Sequence, residues 1–86
     1  MEVIKKNILN HICYTELVYD RIRKKLDIQI SNEEIEERLF NIIKTTKESC
    51  FKKRGKNFYI TNTEKNIRIT INSNTYRVIT VDSILG

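Results

Sequence analysis

The sequence contains no proline and no tryptophan, and it has one histidine, two cysteines and two glycines in 86 residues. Without tryptophan, isoleucine must supply much of the hydrophobic core. The apolar stretch near the N-terminus is interrupted by Lys5, Lys6 and His11. It is therefore neither a secretion signal nor a segment that crosses a membrane, both of which need long uncharged apolar runs. We expect a cytoplasmic protein that does not bind membranes.

The two cysteines, Cys13 and Cys50, lie far apart in the sequence and lack the spacing of a metal site. Without a secretion signal, we predict two reduced and buried side chains, with a disulfide as the alternative. No pair of carboxylates and no His/Cys cluster appears at a spacing that suits metal catalysis. The sequence therefore predicts no metal and no cofactor.

The size of the chain and its distribution of charge limit the function. A chain of 86 residues forms one domain, here residues 1–86, that buries about 60–65% of its unfolded surface. Lysine and arginine balance the acids over residues 1–48, whereas residues 49–86 hold the whole net charge of +5. A positive C-terminal half indicates an anionic partner, although charge specifies only the class of partner.

Apolar residues at helical spacing predict three helices, over residues of about 2–12, 16–26 and 32–48. The third helix has the clearest start, because Ser31 followed by Glu34 forms a capping box. Acids in its first turn and lysines in its last suit the helix dipole. The apolar positions of the three segments are Ile4, Ile8, Ile12, Val18, Ile22, Leu26, Ile35, Leu39, Ile42 and Ile43.

Alternating β-branched and polar residues predict three strands, over residues of about 57–61, 67–72 and 75–82. Short polar turns join them, so the order is an antiparallel meander. We predict an α+β fold in which three N-terminal helices pack on one face of this C-terminal three-stranded sheet. Residues 50–56, which surround Gly55 with four cations, are predicted to be a helix-to-strand connection.

Two registers are open for the last hairpin. A three-residue loop at 72–74 places the isoleucines of the second strand beside Ile79 and Val81, and it leaves Arg68 and Thr70 beside Tyr76 and Thr80. A two-residue loop would move the third strand's side chains to the opposite faces. We favour the longer loop, because Asn74 suits a left-handed backbone.

The sheet face opposite the isoleucines is the candidate functional surface. Aromatic, cationic and hydroxyl side chains on an open sheet can stack bases and hold phosphates, although such residues are also ordinary strand formers on a solvated face. The candidate catalytic residues are Arg68, Tyr59, Thr70 and Tyr76. The candidate nucleic-acid contacts are Lys52, Lys53, Arg54, Lys56 and Arg77.

The runs ICYTELVYDRI, GKNFYITN and IRITINSNTYRVITVD resemble a bacterial domain-of-unknown-function family of small proteins. Helices followed by a basic meander, with a G-K-N-aromatic entry and an R-x-T strand, also resemble the barnase–EndoU–colicin–RelE group of nuclease toxins. The second resemblance implies metal-independent RNA cleavage, in which Arg68 and Lys56 hold the phosphate. Tyr59 or Tyr76 would then handle the proton or stack a base, and Thr70 would donate a hydrogen bond.

Two functions follow as hypotheses. The first is an RNA-directed protein, extending to a toxin-type ribonuclease, although the predicted face has no histidine or glutamate to act as a base. The alternative is a protein-interaction module or an inhibitor encoded by a mobile element, which docks its basic half on an acidic partner. A homodimer that pairs through the strand at 75–82 is a third arrangement.

Overall fold

The computed structural model describes residues 3–84, and it shows an α+β fold with three helices followed by a four-stranded antiparallel sheet. The helices are α1 (Val3–His11), α2 (Glu16–Leu26) and α3 (Asn32–Thr45), and a single 3₁₀ turn covers Glu48–Cys50. The strands are β1 (Phe51–Arg54), β2 (Asn57–Asn62), β3 (Ile67–Asn72) and β4 (Val78–Ser83), and they lie in the order β1-β2-β3-β4.

The prediction of three strands was wrong, because the basic segment before Gly55 forms the additional strand β1. Phe51 is buried against the core and pairs with Ile60 of β2. Gly55 adopts a φ of 58°, which lets the chain turn back tightly into β2. The next three residues of β1 are exposed cations, so the segment shows no alternation of apolar and polar residues from which a strand could be predicted.

The hydrophobic core lies between the three helices and one face of the sheet, called here the inner face. Every helix contributes buried side chains to it, among them Ile8, Val18, Ile22, Leu39 and Ile43. The inner face contributes residues that alternate along β2 and β3, together with Phe51 of β1 and the two valines of β4 that flank an irregular pairing. These residues are Phe51, Phe58, Ile60, Ile67, Ile69, Ile71, Val78 and Val81. None of the helices described within residues 3–84 packs on the opposite, outer face, because all three contribute to this one core.

The loop of the last hairpin differs from both registers considered. Five residues, 73–77, separate the end of β3 at Asn72 from the start of β4 at Val78. The Asn72 carboxamide shapes this loop by accepting backbone hydrogen bonds from Asn74 (2.8 Å) and Thr75 (2.9 Å). Ile69 pairs with Val81 and Thr70 pairs with Thr80, so these residues share faces as expected. A bulge next to Ile71 shifts the register near the loop, where Ile71 pairs with Val78 and not with Ile79.

The connection between α2 and α3 is held by Arg23. Its guanidinium donates to the Ile30 carbonyl (2.8 Å), to Asp20 (2.9 Å) and to the Asn32 side chain. At the start of α3, the Ser31 hydroxyl accepts the Glu34 amide at 3.2 Å, as a helix cap does. Arg23 thus has a structural role within the basic end of α2.

The start of the outer edge of β4 is occupied by other parts of the chain. The homodimer that pairs through this strand stays a prediction. Cys13 forms a parallel bridge there, donating to the Tyr76 carbonyl (3.0 Å) and accepting from the Val78 amide (2.9 Å). Arg21 of α2 donates to the Ile79 carbonyl at 3.1 Å. Both cysteines are free and half-buried. The remaining edge of the sheet is β1.

A buried polar contact joins the end of α3 to the sheet. The Asn62 amide donates to the Thr46 hydroxyl at 2.9 Å, and its oxygen accepts the Lys65 amide at 2.9 Å. Thr46 is 3% exposed, and its hydroxyl donates to the Ile42 carbonyl. Because Thr46 has an extended backbone, α3 ends at Thr45 rather than at residue 48.

We expect Asn62→Ala to lower the free energy of unfolding by about 2 kcal/mol, because it leaves the Thr46 hydroxyl and the Lys65 amide without their partner. Chemical denaturation measures the change. Thr63→Ala, at an exposed position next in the chain, is the control and should cost less than about 0.5 kcal/mol. Equal losses in the two variants would contradict a structural role for the Asn62 side chain.

Candidate nucleic-acid interface

Tyr59 stands at the centre of the outer face, surrounded by cations. It lies directly opposite Lys52 of β1 and Thr70 of β3. Arg54 and Arg68 are two residues further along these neighbouring strands, so each is a diagonal neighbour of Tyr59 at about 7–8 Å. We call Lys52, Arg54, Tyr59 and Arg68 the Tyr59 platform.

The charges of the platform are available to a ligand. Lys52, Arg54 and Arg68 are exposed. Among residues 3–84, none of these three side chains forms an ion pair. Arg68 donates one long hydrogen bond, from Nε to the Thr61 hydroxyl at 3.5 Å. The platform therefore combines three unpaired cations with one half-buried aromatic ring on a surface without helices.

One carboxylate reaches this face from the strands. Asp82 lies opposite Arg68 in the β3–β4 pair. Its Oδ1 is 3.0 Å from the Lys25 ammonium, which belongs to α2. This exposed pair turns the carboxylate towards Lys25, and the three cations of the platform outnumber it on the outer face.

Thr70 lies on the outer face as predicted, although little of its side chain is exposed. It stands between Tyr59 and Thr80 in a row across the sheet, and it is 6% exposed. A residue of a central strand has neighbours on both sides, and these shield its short side chain. The Thr80 hydroxyl in the same row is buried and has no hydrogen-bond partner among residues 3–84.

Tyr76 is not on the outer face, contrary to the prediction. It adopts a φ of 61° in the loop before β4, a conformation that L-residues with large side chains rarely use. Its ring centroid lies 5.4 Å from that of His11 and 6.2 Å from that of Phe58. The left-handed backbone turns this ring towards α1 and the core, on the other side of the sheet.

The remaining basic candidates are dispersed. Lys53 is exposed but shares the face of Phe58, on the helix side of β1. Lys56 is exposed in the β1–β2 turn, where its carbonyl accepts the Ser73 amide at 2.7 Å and the Ser73 hydroxyl at 2.9 Å. Arg77 is exposed beside Cys13 at the covered edge. The structure therefore brings two of the five together with Tyr59 and Arg68.

From the sequence, Lys52 and Arg54 were predicted to lie in a connection, and their positions beside Tyr59 were not predicted. Lys52 and Arg54 share the outer face only because residues 51–54 form a strand, and the only apolar residue of that strand is Phe51. The one local signal was Gly55, because a glycine just before a predicted strand allows a tight turn. A hairpin at Gly55 would have placed Lys52 opposite Tyr59.

Two tyrosines with raised pKa values lie away from the platform, stacked on each other with ring centroids 5.3 Å apart. Burial raises the pKa of Tyr14 well above its usual range. Burial and a 2.6 Å hydrogen bond to Glu36 raise the pKa of Tyr19 to about 12. A raised pKa keeps a phenol neutral, so neither side chain is suited to act as a base at neutral pH.

A comparison with known protein families matches residues 6–82 to the family described as "Protein of unknown function (DUF3781)". The chain belongs to the DUF3781 family. No curated protein and no solved structure matched this member of the family.

The described part of this DUF3781 domain contains neither a metal-binding cluster nor a membrane-spanning helix. Within residues 3–84, no three His, Cys, Asp or Glu side chains lie close enough together to hold a metal ion. The same part of the chain contains no helix with the length and apolar character needed to span a bilayer. The unpaired cations around Tyr59 make the outer face the candidate functional surface.

We expect Tyr76→Phe to leave the free energy of unfolding within about 0.5 kcal/mol of wild type, because the ring contacts remain. Tyr76→Ala should cost about 2 kcal/mol through lost packing. Tyr76→Gly should cost less than Tyr76→Ala, since glycine accepts the positive φ. Denaturant unfolding of the three variants measures this order. A large loss in Tyr76→Phe would instead assign a role to the hydroxyl.

Proposed function

We propose that the chain binds single-stranded RNA through the outer face of its sheet. Tyr59 would stack a base, and Lys52, Arg54 and Arg68 would contact the phosphates on either side. The observation that carries this proposal is the position of Tyr59 opposite Lys52 and diagonal to the two arginines, on a face without helices. Aromatic rings set among cations on an open sheet are a common solution for unpaired strands.

Hydrogen-bonding groups beside the platform favour RNA over DNA as the ligand. Thr61 lies opposite Arg68, and Asn57 lies opposite both Arg54 and Asn72. These hydroxyl and amide groups are half-buried, so they are partly accessible from the outer face. They can donate to or accept from the ribose 2′-hydroxyl, the group that distinguishes RNA from DNA.

The proposal is limited to binding, although the resemblance to nuclease toxins implies cleavage. In-line attack by a 2′-hydroxyl needs a group that accepts its proton. The carboxylate of the outer face, Asp82, is held by Lys25 at 3.0 Å. The ring of His11 lies with Tyr76 on the helix side. Gel analysis of the RNA after prolonged incubation with the protein, without added metal, tests for cleavage directly.

We expect binding of a labelled single-stranded RNA to weaken with salt by about 2 log units of affinity per log unit of salt concentration, since three phosphate contacts contribute about 0.7 each. Arg68→Ala should weaken binding and lower this slope by about 0.7. Fluorescence anisotropy across a salt series measures both quantities. A DNA oligomer of the same sequence should bind less tightly.

The controls separate the platform from net charge and from folding. Lys44→Ala removes an exposed cation from α3, on the helix layer, and should leave the affinity nearly unchanged. Tyr59→Phe should retain binding, whereas Tyr59→Ala should weaken it by about 1–3 kcal/mol through lost stacking. Circular dichroism confirms that each variant is folded. Equal effects of Arg68→Ala and Lys44→Ala would reject the platform.

A second candidate function is the docking of an acidic, extended segment of a protein on β1. The open edge of β1 favours it, because this strand pairs with β2 on one side and with no other strand of residues 3–84. Lys52, Lys53 and Arg54 are all exposed along it. Edge strands accept additional strands by backbone hydrogen bonding, although a short cationic edge also serves to prevent such pairing.

Lys53→Glu distinguishes the two functions, because Lys53 lies on the helix side of β1 and outside the platform. In the docking function, this change should abolish the stoichiometric recovery of an acidic protein from nuclease-treated lysate. In the RNA function, it should weaken RNA binding less than Arg68→Glu, which makes the same change in charge inside the platform. The opposite order of effects on RNA would contradict the proposed binding face.

A further inference from the structure

On the helix side of the molecule, an apolar cleft of about 210 Å³ opens between α2, α3, the link that joins them and the start of β3. Its floor is formed by Ile22, Ile35, Leu39 and Ile67, which are each at most 4% exposed. The cleft lies away from the Tyr59 platform, so ligand binding in the cleft does not depend on the proposed RNA binding.

The walls of the cleft are incompletely covered. Leu26, Ile28, Ile30 and Ile42 line it, and all four side chains are only half-buried. Ile28 and Ile30 belong to the link that Arg23 holds in place through the Ile30 carbonyl. The cleft is therefore bounded by a constrained segment. A ligand that removes its apolar walls from water lowers the free energy of the complex.

Two cations, Arg38 and Lys65, complete the lining. Both are exposed, and within residues 3–84 neither side chain forms an ion pair. A neighbouring, more polar hollow of about 410 Å³ shares Arg38, Ile42 and Lys65 and adds Asn41 and Thr45. An apolar cleft thus opens onto a polar one, with both positive charges at the junction.

This arrangement is complementary to a molecule with an aliphatic chain and an anionic end. An aliphatic chain in the cleft would cover the half-buried isoleucines and leucines. Its carboxylate would then lie at the junction, within the field of Arg38 and Lys65. A neutral apolar ligand would leave both cations without a partner, and a small anion would leave the walls exposed.

We propose that this cleft binds the aliphatic carboxylate of a medium-chain fatty acid, with the chain between α2 and α3 and the carboxylate beside Arg38 and Lys65. Association of such a ligand is driven by burial of methylene groups. The two cations orient the ligand and select the acid over uncharged analogues.

The test titrates the full-length protein with hexanoate, octanoate and decanoate below their micelle concentrations, using isothermal titration calorimetry. We expect the affinity to rise about fourfold per methylene until the cleft is filled, with a negative change in heat capacity. The midpoint of thermal unfolding should rise with ligand concentration. Primary alcohols of the same chain lengths should bind less tightly.

Matched variants test the two parts of the site. Arg38→Gln and Lys65→Gln should each weaken octanoate binding by up to about fivefold and leave octanol binding unchanged. Lys44→Gln makes the same change in charge elsewhere on α3 and should have no effect. Ile28→Trp should block the cleft and remove binding of acid and alcohol alike, and its circular dichroism spectrum shows whether it folds.

Three outcomes would overturn the proposal. The first is the absence of binding by decanoate at millimolar concentration. The second is an affinity that does not depend on chain length. The third is equal binding of acids and alcohols that neither glutamine variant changes. The two glutamine variants change exposed side chains, so they test the site even if Ile28→Trp does not fold.

Discussion

The burial of one sheet face against three short helices is the constraint on which the rest of this structure depends. The longest helix has 14 residues, and such helices are barely stable alone in water, so they persist through their apolar stripes. Isoleucine supplies most of the shared core, including Ile8, Ile22, Ile43, Ile60 and Ile69. Since all three helices pack against one face of the sheet, the other face is in contact with solvent. The candidate binding face is a direct consequence of this packing.

The two edge strands of the sheet differ in how far their backbone is covered, and this asymmetry limits how the molecule can associate. At β4, backbone groups of Cys13 and the Arg21 side chain occupy hydrogen-bonding positions that another chain would otherwise use. At β1, the edge stays open, and a run of cations lines it. Charge on an open edge opposes pairing with a second copy of the same strand, while it attracts an acidic partner or a polyanion. The proposed RNA function and the docking alternative both draw on this feature.

Predictions from the sequence were most accurate where the periodicity was strong. The start of α3 followed from Ser31 and Glu34, and the face shared by Ile67, Ile69 and Ile71 followed from strict alternation in β3. They failed at β1, because three consecutive charged residues show no alternation of apolar and polar positions. They also failed at Tyr76, because its left-handed backbone turns the ring away from the expected face. Arg68 and Tyr59 were assigned to one surface, but Lys52 and Arg54 joined them only through the strand that was missed.

The amino-acid sequence by itself determined the α+β class, the order of helices before strands, and the concentration of positive charge in the C-terminal half. These properties depend on local periodicity and composition, which can be read within a window of a few residues. Only the tertiary structure decided which cations surround Tyr59, which sheet edge is open, and that a cleft lies between α2 and α3. Those features depend on strand pairing and on chain reversals at Gly55 and Tyr76, where contacts between distant residues outweigh local preference.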